Sequence, residues 1–157
     1  MYKLFVMDVD GTLTDGKIYM SSGGEAFKAF DIKDGYGIKN ILKKFCIQTA
    51  VITGRKSKIA LRRAEELDVD YLFQGVNDKC LCLKQLVEKI PCTMEEVVYV
   101  GDDVNDLECM EKAGLSCCPS DAHESVKKAA DYVSSRRGGE GAVREIIDMI
   151  VADKYGR

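Results

Sequence analysis

Short apolar runs alternate with amphipathic stretches along this chain. Residues 4–9 read as a buried strand that ends among carboxylates. Residues 17–20 and 26–32 flank Ser21-Ser22-Gly23-Gly24, the signature of a hairpin. From Asp34 a helix is expected, with Ile38, Ile41, Leu42 and Phe45 at helical spacing. Residues 49–52 read as a second buried strand. Residues 57–67 read as a helix carrying Ile59, Arg63 and Leu67 four apart. A strand over 71–73 and a helix over 79–90, stopped by Pro91, come next. A strand over 97–100 leads to a helix over 106–113 that stops at Gly114. The last elements are a strand over 115–118, a helix over 124–130, a short strand at 132–133, and a helix from Gly141 to about residue 151.

This order of elements means βαβ units, hence a parallel sheet covered on both faces. The expected architecture is α/β, a Rossmann-like three-layer sandwich with a β-hairpin insertion. Residues 1–157 suit a single domain with a sizeable core. The ligands of such sheets bind beyond the carboxyl ends of the strands.

Composition narrows the class of partner. Apolar residues make up 46% and charged residues 31%, and the net charge is −3 with no basic block. Nucleic acid and anionic membrane surfaces are poor partners for such a chain. The apolar runs fall far short of a bilayer span, and the start MYKLFVMD turns acidic too soon for a signal peptide. A cytoplasmic protein is expected. The seven cysteines therefore read as reduced thiols packed in the core rather than as disulfides or a zinc site. The single histidine, His123, reads as a surface residue near a helix start.

The chemistry collects at the strand ends. The first strand ends in Asp8-Val9-Asp10-Gly11-Thr12 and the second in Thr53-Gly54-Arg55. The third is followed by Gly75-Val76-Asn77-Asp78-Lys79, and the fourth by Gly101-Asp102-Asp103-Val104-Asn105-Asp106. Each piece alone has a plain structural explanation: a turn, a helix cap, a solvated lysine, an acidic first helical turn. All four in order, at successive strand ends, argue for one crevice. Carboxylates converging there repel one another unless a hard divalent cation joins them, and Mg²⁺ is the usual choice where phosphate is bound. With a hydroxyl from Thr53 and the ammonium of Lys79, the set suits phosphoryl transfer, with a carboxylate as nucleophile.

Those motifs, in that order, resemble the haloacid dehalogenase superfamily over nearly the whole chain. Asp31-Ile32-Lys33-Asp34-Gly35-Tyr36-Gly37-Ile38, Thr53-Gly54-Arg55-Lys56-Ser57 and the segment from Arg137 to Glu145 resemble more closely its 3-deoxy-D-manno-octulosonate 8-phosphate phosphatases. This branch also holds nonulosonate 9-phosphate phosphatases. The resemblance implies that Asp8 is the nucleophile and Asp10 the general acid and base. It implies Mg²⁺ held by the Asp8 carboxylate, the Asp10 backbone carbonyl and the Asp102 carboxylate. Thr53 and Lys79 would bind the phosphoryl group, with Asp103 and Asp106 orienting Lys79 or metal-bound water. The substrate pocket would draw on Asp10, Asp31, Ile32, Lys33, Asp34, Gly35, Lys39, Arg55, Arg63 and Lys79.

A cap domain has no room here, because only the hairpin separates the first motif from the next helix. The branch consists of capless homotetramers in which neighbouring subunits close the site, and the apolar Ile18, Tyr19, Met20, Phe27 and Phe30 fit such an interface. The glycines Gly138, Gly139 and Gly141 form either an anion cradle or a plain helix start. The expected activity is Mg²⁺-dependent removal of phosphate from 3-deoxy-D-manno-octulosonate 8-phosphate, a step of lipopolysaccharide sugar biosynthesis. The alternatives are a nine-carbon keto sugar acid 9-phosphate as substrate, or a phospho-acceptor or regulatory domain without turnover. A phospho-acceptor receiver, however, keeps its acidic pair on the first strand and its phosphorylated aspartate on the third, unlike this chain.

Overall fold

The computed structural model describes residues 1–155, with side chains placed through residue 152; the last two residues of the expected 1–157 domain lie outside the described residues. Strands β1 (Leu4–Met7), β4 (Gln48–Ile52), β5 (Tyr71–Phe73), β6 (Val97–Val100), β7 (Leu115–Cys118) and β8 (Tyr132–Val133) form one parallel sheet in the order β5-β4-β1-β6-β7-β8. The chain builds outward from β1 to β5, then returns to the other side of β1. The point of reversal lies between β1 and β6, where such sheets bind ligands.

Side chains of β1 alternate between two cores. Phe5 and Met7 join Ile38, Leu42, Val143, Ile146 and Ile147 on one face. Leu4 and Val6 join Leu83, Leu86, Cys109, Met110 and Val126 on the other. The first core is covered by α1 (Ile32–Tyr36) with its π-helical continuation Gly37–Leu42, by α2 (Lys58–Glu66) and by α6 (Ala142–Tyr155). The second is covered by α3 (Lys79–Val87), α4 (Leu107–Lys112) and α5 (Glu124–Ala129). The buried apolar area, the main favourable contribution to folding, is thus shared between the two faces.

Several boundaries differ from expectation for local reasons. The first helix begins at Ile32, because the Asp31 side chain accepts from the backbone N–H groups of Lys33 and Asp34 and caps it. Asp34 turns inward and accepts from the Arg144 N–H at the start of α6. The hairpin is shorter than expected: β2 (Tyr19–Ser21) and β3 (Gly24–Phe27) pair across a tight turn, and Phe30 folds back onto the first core. The helix from Lys79 stops at Val87, ahead of Pro91.

The cysteines are only partly core residues. Cys80, Cys109, Cys117 and Cys118 are buried, Cys82 and Cys92 are half-buried, and Cys46 is exposed with φ 56° in the turn before β4. Adjacent Cys117 and Cys118 face opposite cores, as a strand requires. His123 is exposed at the start of α5. No helix of the described residues is long and apolar enough to cross a membrane.

Candidate active site

Asp8 follows β1 directly, on the side of Leu4 and Val6. That places it opposite the start of α3, and Lys79, the first residue of that helix, reaches it: Nζ lies 3.0 Å from Asp8 Oδ2 and 2.8 Å from Asp106 Oδ1. Lys79 is 3% exposed and Asp106 is fully buried. The apolar strand VVYV contains one polar group, the Tyr99 hydroxyl, and it donates to Asp106 Oδ1 at 2.9 Å. The backbone N–H groups of Asp102 and Asp103 donate to Asp106 Oδ2. All four of these donors hold Asp106 in place.

That saturation separates Asp106 from the carboxylates that could hold a metal. Asp8, Asp102 and Asp106 bring carboxylate oxygens within 4.8 Å of one another. Asp106 is committed to its four donors, whereas among the described residues Asp102 receives only the Thr12 hydroxyl, at 3.1 Å on Oδ1. The donor set left over, Asp8 and Asp102 with backbone carbonyls of the same loop, consists of hard oxygens suited to a divalent cation. Burial, the Asp8 charge and the Asp106 charge push the Asp102 carboxyl up to about 8. Burial and Asp106 push Asp8 up to about 6 against the opposing pull of Lys79. A cation bound between two carboxyls held this far above their ordinary range would favour their charged forms.

This sets a testable pH dependence for the metal-free protein. Both folded values lie above the unfolded value of 3.8. The folded state therefore binds more protons than the unfolded state between about pH 4 and about pH 8, and stability falls as pH rises through that window. Calorimetry in EDTA should show Tm dropping by several degrees from pH 5 to pH 8.5. Saturating Mg²⁺ should flatten the slope. A flat profile in EDTA would show that the carboxylates are not crowded as described.

The loop between Asp8 and Asp15 is held by glycines. Gly11 has φ +89°, and a Cβ there would lie inside the Asp102 carboxylate. Gly138 and Gly139 pack against the backbone of the same loop: a Cβ on Gly138 would collide with the Gly11 carbonyl, and the Gly139 N–H donates to the Thr12 carbonyl at 3.3 Å. Here these glycines press on the loop after Asp8 from behind, next to the start of α6. The backbone N–H of His123 donates to the Asp102 carbonyl at 2.8 Å and ties down the other acidic loop.

The remaining expected residues fall into two groups. Thr53 is buried at the end of β4, with its N–H on the Phe73 carbonyl. Asp10 is half-buried, and Arg55, itself half-exposed, brings Nε to 3.8 Å from Asp10 Oδ2. Asp103 is exposed, and its carboxylate accepts from the Val104 N–H rather than approaching Lys79. Asp31, Ile32, Lys33, Asp34, Gly35, Lys39 and Arg63 lie apart from Asp8, around α1 and α2. Asp31 and Asp34 serve as caps, and Lys39 bonds the Glu66 carbonyl and pairs with Asp68. Arg63 pairs with Glu66 and stacks over Phe30, with its guanidinium against Gly35. Ile32 and Lys33 are exposed. Lys28, Phe30, Ile32, Arg62, Arg63 and Glu66 line an open cleft of about 420 Å³.

Tyr99 and Lys28 were not singled out by the sequence, and Thr12 entered only as the last residue of the first motif. Tyr99 could have been, since a hydroxyl in a fully buried strand needs a partner. Lys28 sends Nζ to 2.6 Å from Asp10 Oδ1 and 2.6 Å from Glu25 Oε1.

A family model of haloacid dehalogenase-like hydrolases matches residues 72–146. The 3-deoxy-D-manno-octulosonate 8-phosphate phosphatase of Escherichia coli is 46% identical over 149 residues, 95% of this chain and 79% of that protein. The chain belongs to the haloacid dehalogenase-like hydrolases. Within this family, the 3-deoxy-D-manno-octulosonate 8-phosphate phosphatase of Moraxella catarrhalis, solved with magnesium, phosphate and the sugar acid, superposes with a TM-score of 0.92 at 40% identity. That match covers 96% of this chain and 86% of the other. The cobalt-bound enzyme of Haemophilus influenzae gives 0.94 at 40% identity, covering 98% and 90%. Its capless α/β sheet is thus the fold of these phosphatases, as the motif order implied.

Proposed function

We propose that the chain is a Mg²⁺-dependent phosphomonoester hydrolase that removes phosphate from 3-deoxy-D-manno-octulosonate 8-phosphate through an aspartyl-phosphate on Asp8. The observation that carries this reading is the buried Asp8 carboxylate, paired with Lys79 and facing Asp102 at the switch point of the sheet. The Escherichia coli phosphatase named for this substrate is 46% identical to the chain over 149 residues.

Each residue has a task in the reaction. Lys79, fixed by Asp106, and the Thr53 hydroxyl receive the phosphoryl oxygens. An Asp8 oxygen attacks phosphorus while the ester bond breaks, and Asp10 gives its proton to the departing sugar oxygen. Asp10 then takes a proton from the water that releases phosphate from Asp8. Mg²⁺ on Asp8, the Asp10 carbonyl and Asp102 would screen the charge between carboxylate and phosphoryl group. Arg55, close to Asp10 and half-exposed, is placed to meet the substrate carboxylate.

The assembly read from the family resemblance is a homotetramer, and the exposed Ile18, Met20, Phe27, Ile32 and Tyr36 offer it an apolar surface. Among the described residues all seven cysteines are free thiols, which suits the reducing cytoplasm.

Phosphate release tests the reading. With Mg²⁺, turnover of the eight-carbon acid phosphate should exceed that of nine-carbon acid phosphates and hexose phosphates by at least about tenfold, and EDTA should abolish it. Preference for a nine-carbon acid would overturn the substrate and keep the reaction. No release from any ester would overturn the reaction.

A further inference from the structure

The hairpin β2–β3 leaves Met20 and Phe27 exposed and buries the next residue, Lys28, whose side chain is 2% exposed. This inverts the ordinary preference of a hairpin that merely packs on a core. An ammonium buried between two carboxylates stabilises a fold less than an apolar side chain of similar size. The location of its partners supplies the reason for keeping it. One is Asp10. The other, Glu25, is anchored in turn: its Oε2 accepts from the Ser57 hydroxyl at 2.5 Å. Ser57 caps α2 through the Ala60 N–H and is itself held by Gln74. A continuous set of contacts therefore runs from the N-terminus of α2 through Ser57, Glu25 and Lys28 to one oxygen of Asp10.

We propose that Lys28, braced by Glu25, is a positioning residue for the Asp10 carboxylate: it fixes Oδ1 so that Oδ2 is the oxygen that carries the proton. This rests on the phosphatase reading above. Asp10 lies on a loop, and among the described residues its other oxygen is approached only by the half-exposed Arg55, at 3.8 Å; proton transfer needs one oxygen within hydrogen-bond reach of the departing atom. With Oδ1 held from the hairpin, Oδ2, on the side of the half-exposed Arg55, is the oxygen left for the transfer. In the first step the Asp8–phosphorus bond forms, the bond from phosphorus to the sugar oxygen breaks, and the proton on Oδ2 passes to that oxygen. In the second, water oxygen bonds to phosphorus, the Asp8–phosphorus bond breaks, and the water proton returns to Oδ2. The hairpin that occupies the place of a cap thus aligns the acid.

Leaving-group dependence separates this role from a structural one. A sugar alkoxide needs a proton as it departs, and p-nitrophenolate does not. In single-turnover experiments with Mg²⁺, Lys28→Met should slow release of the sugar acid from its 8-phosphate by about 10- to 100-fold. Release of p-nitrophenol from p-nitrophenyl phosphate should slow by less than about threefold. Lys28→Arg, which keeps the charge but cannot place one point charge between both carboxylates, should fall between these. The Mg²⁺ concentration for half-maximal activity should stay within about threefold, because the metal loop is not displaced. Where Lys28→Met is unfolded by circular dichroism, the same ratio is read on Glu25→Gln, with an expected selective loss of about 3- to 10-fold. Equal losses with both esters, no loss with either, or a loss cured by excess Mg²⁺ would overturn the proposal. A wild-type enzyme inactive on both esters would instead overturn the phosphatase reading and this role with it. Selective or unselective loss in an active enzyme bears on Lys28 alone.

Discussion

Replacing Asp8 with asparagine is expected to lower phosphate release by on the order of 10⁵-fold while leaving the protein at least as stable without metal as the original. The two halves of that expectation have one cause. Asp8 is buried, close to Asp106, and its carboxyl is pushed up to about 6 by burial first and by the Asp106 charge second. An amide of the same size removes the charge and leaves Lys79 with Asp106 at 2.8 Å. The folded state loses a strain and the reaction loses the atom that attacks phosphorus. Phosphomonoesters hydrolyse so slowly unaided that no residual positioning makes up the difference. The measurements are steady-state phosphate release and a melting curve in EDTA at pH 7.5. Retained turnover would place the nucleophile elsewhere. A Tm lower by about 10 °C would make Asp8 a structural residue first.

The same charge that makes Asp8 useful made it legible. A strand that runs into Asp8 and Asp10 breaks its own apolar pattern, and the break repeats at Asp102 after β6. Strands β5, β6, β7 and β8 carry the bounds expected of them, because near-continuous apolar runs bounded by glycine or polar residues leave little freedom. The start of α1 was less legible. Asp31 and Asp34 both look like caps, and only the approach of α6, whose Arg144 N–H turns to Asp34, assigns the first to α1 and the second to α6. That contact spans 110 residues and has no local signature. Lys28 was illegible for the same reason. Its neighbours suggest a solvated lysine on a hairpin arm, and only the fold brings Asp10 to it. The π-helical turn after Tyr36 lies where periodicity had extended an ordinary helix. Where a side chain from a distant segment satisfies a backbone group, as Asp34 does for Arg144, spacing along the chain does not record the partner.

Lys79→Met should be the most damaging substitution for stability as well as a severe one for activity. Nζ sits 3.0 Å from Asp8 and 2.8 Å from Asp106, in a side chain that is 2% exposed. Burial lowers the affinity of this ammonium for its proton, yet Asp8 and Asp106 outweigh burial, so the lysine is held above its ordinary range. A basic group raised in this way contributes stability that is complete below its unfolded value of 10.5, hence throughout the neutral range. Removing it leaves Asp8, Asp102 and Asp106 with no cation among oxygens that lie within 4.8 Å of one another. Breaking a buried pair from one side costs about 3–5 kcal/mol, which for a chain of this size corresponds to roughly 10 °C in Tm. Mg²⁺ should restore part of that loss, and should raise the Tm of the variant by more than it raises that of the original protein, since on Asp8 and Asp102 it brings positive charge back beside the cluster. It should not restore turnover, expected to be down by at least about 10³-fold, because the phosphoryl oxygens have lost the ammonium that receives them. Lys79→Arg should fail as well: a planar fork does not fit a closed site shaped around a point charge. A variant that melts normally in EDTA would mean that Lys79 is not the counter-charge of this cluster. One that is fully active with Mg²⁺ would mean that the metal alone binds the phosphoryl group.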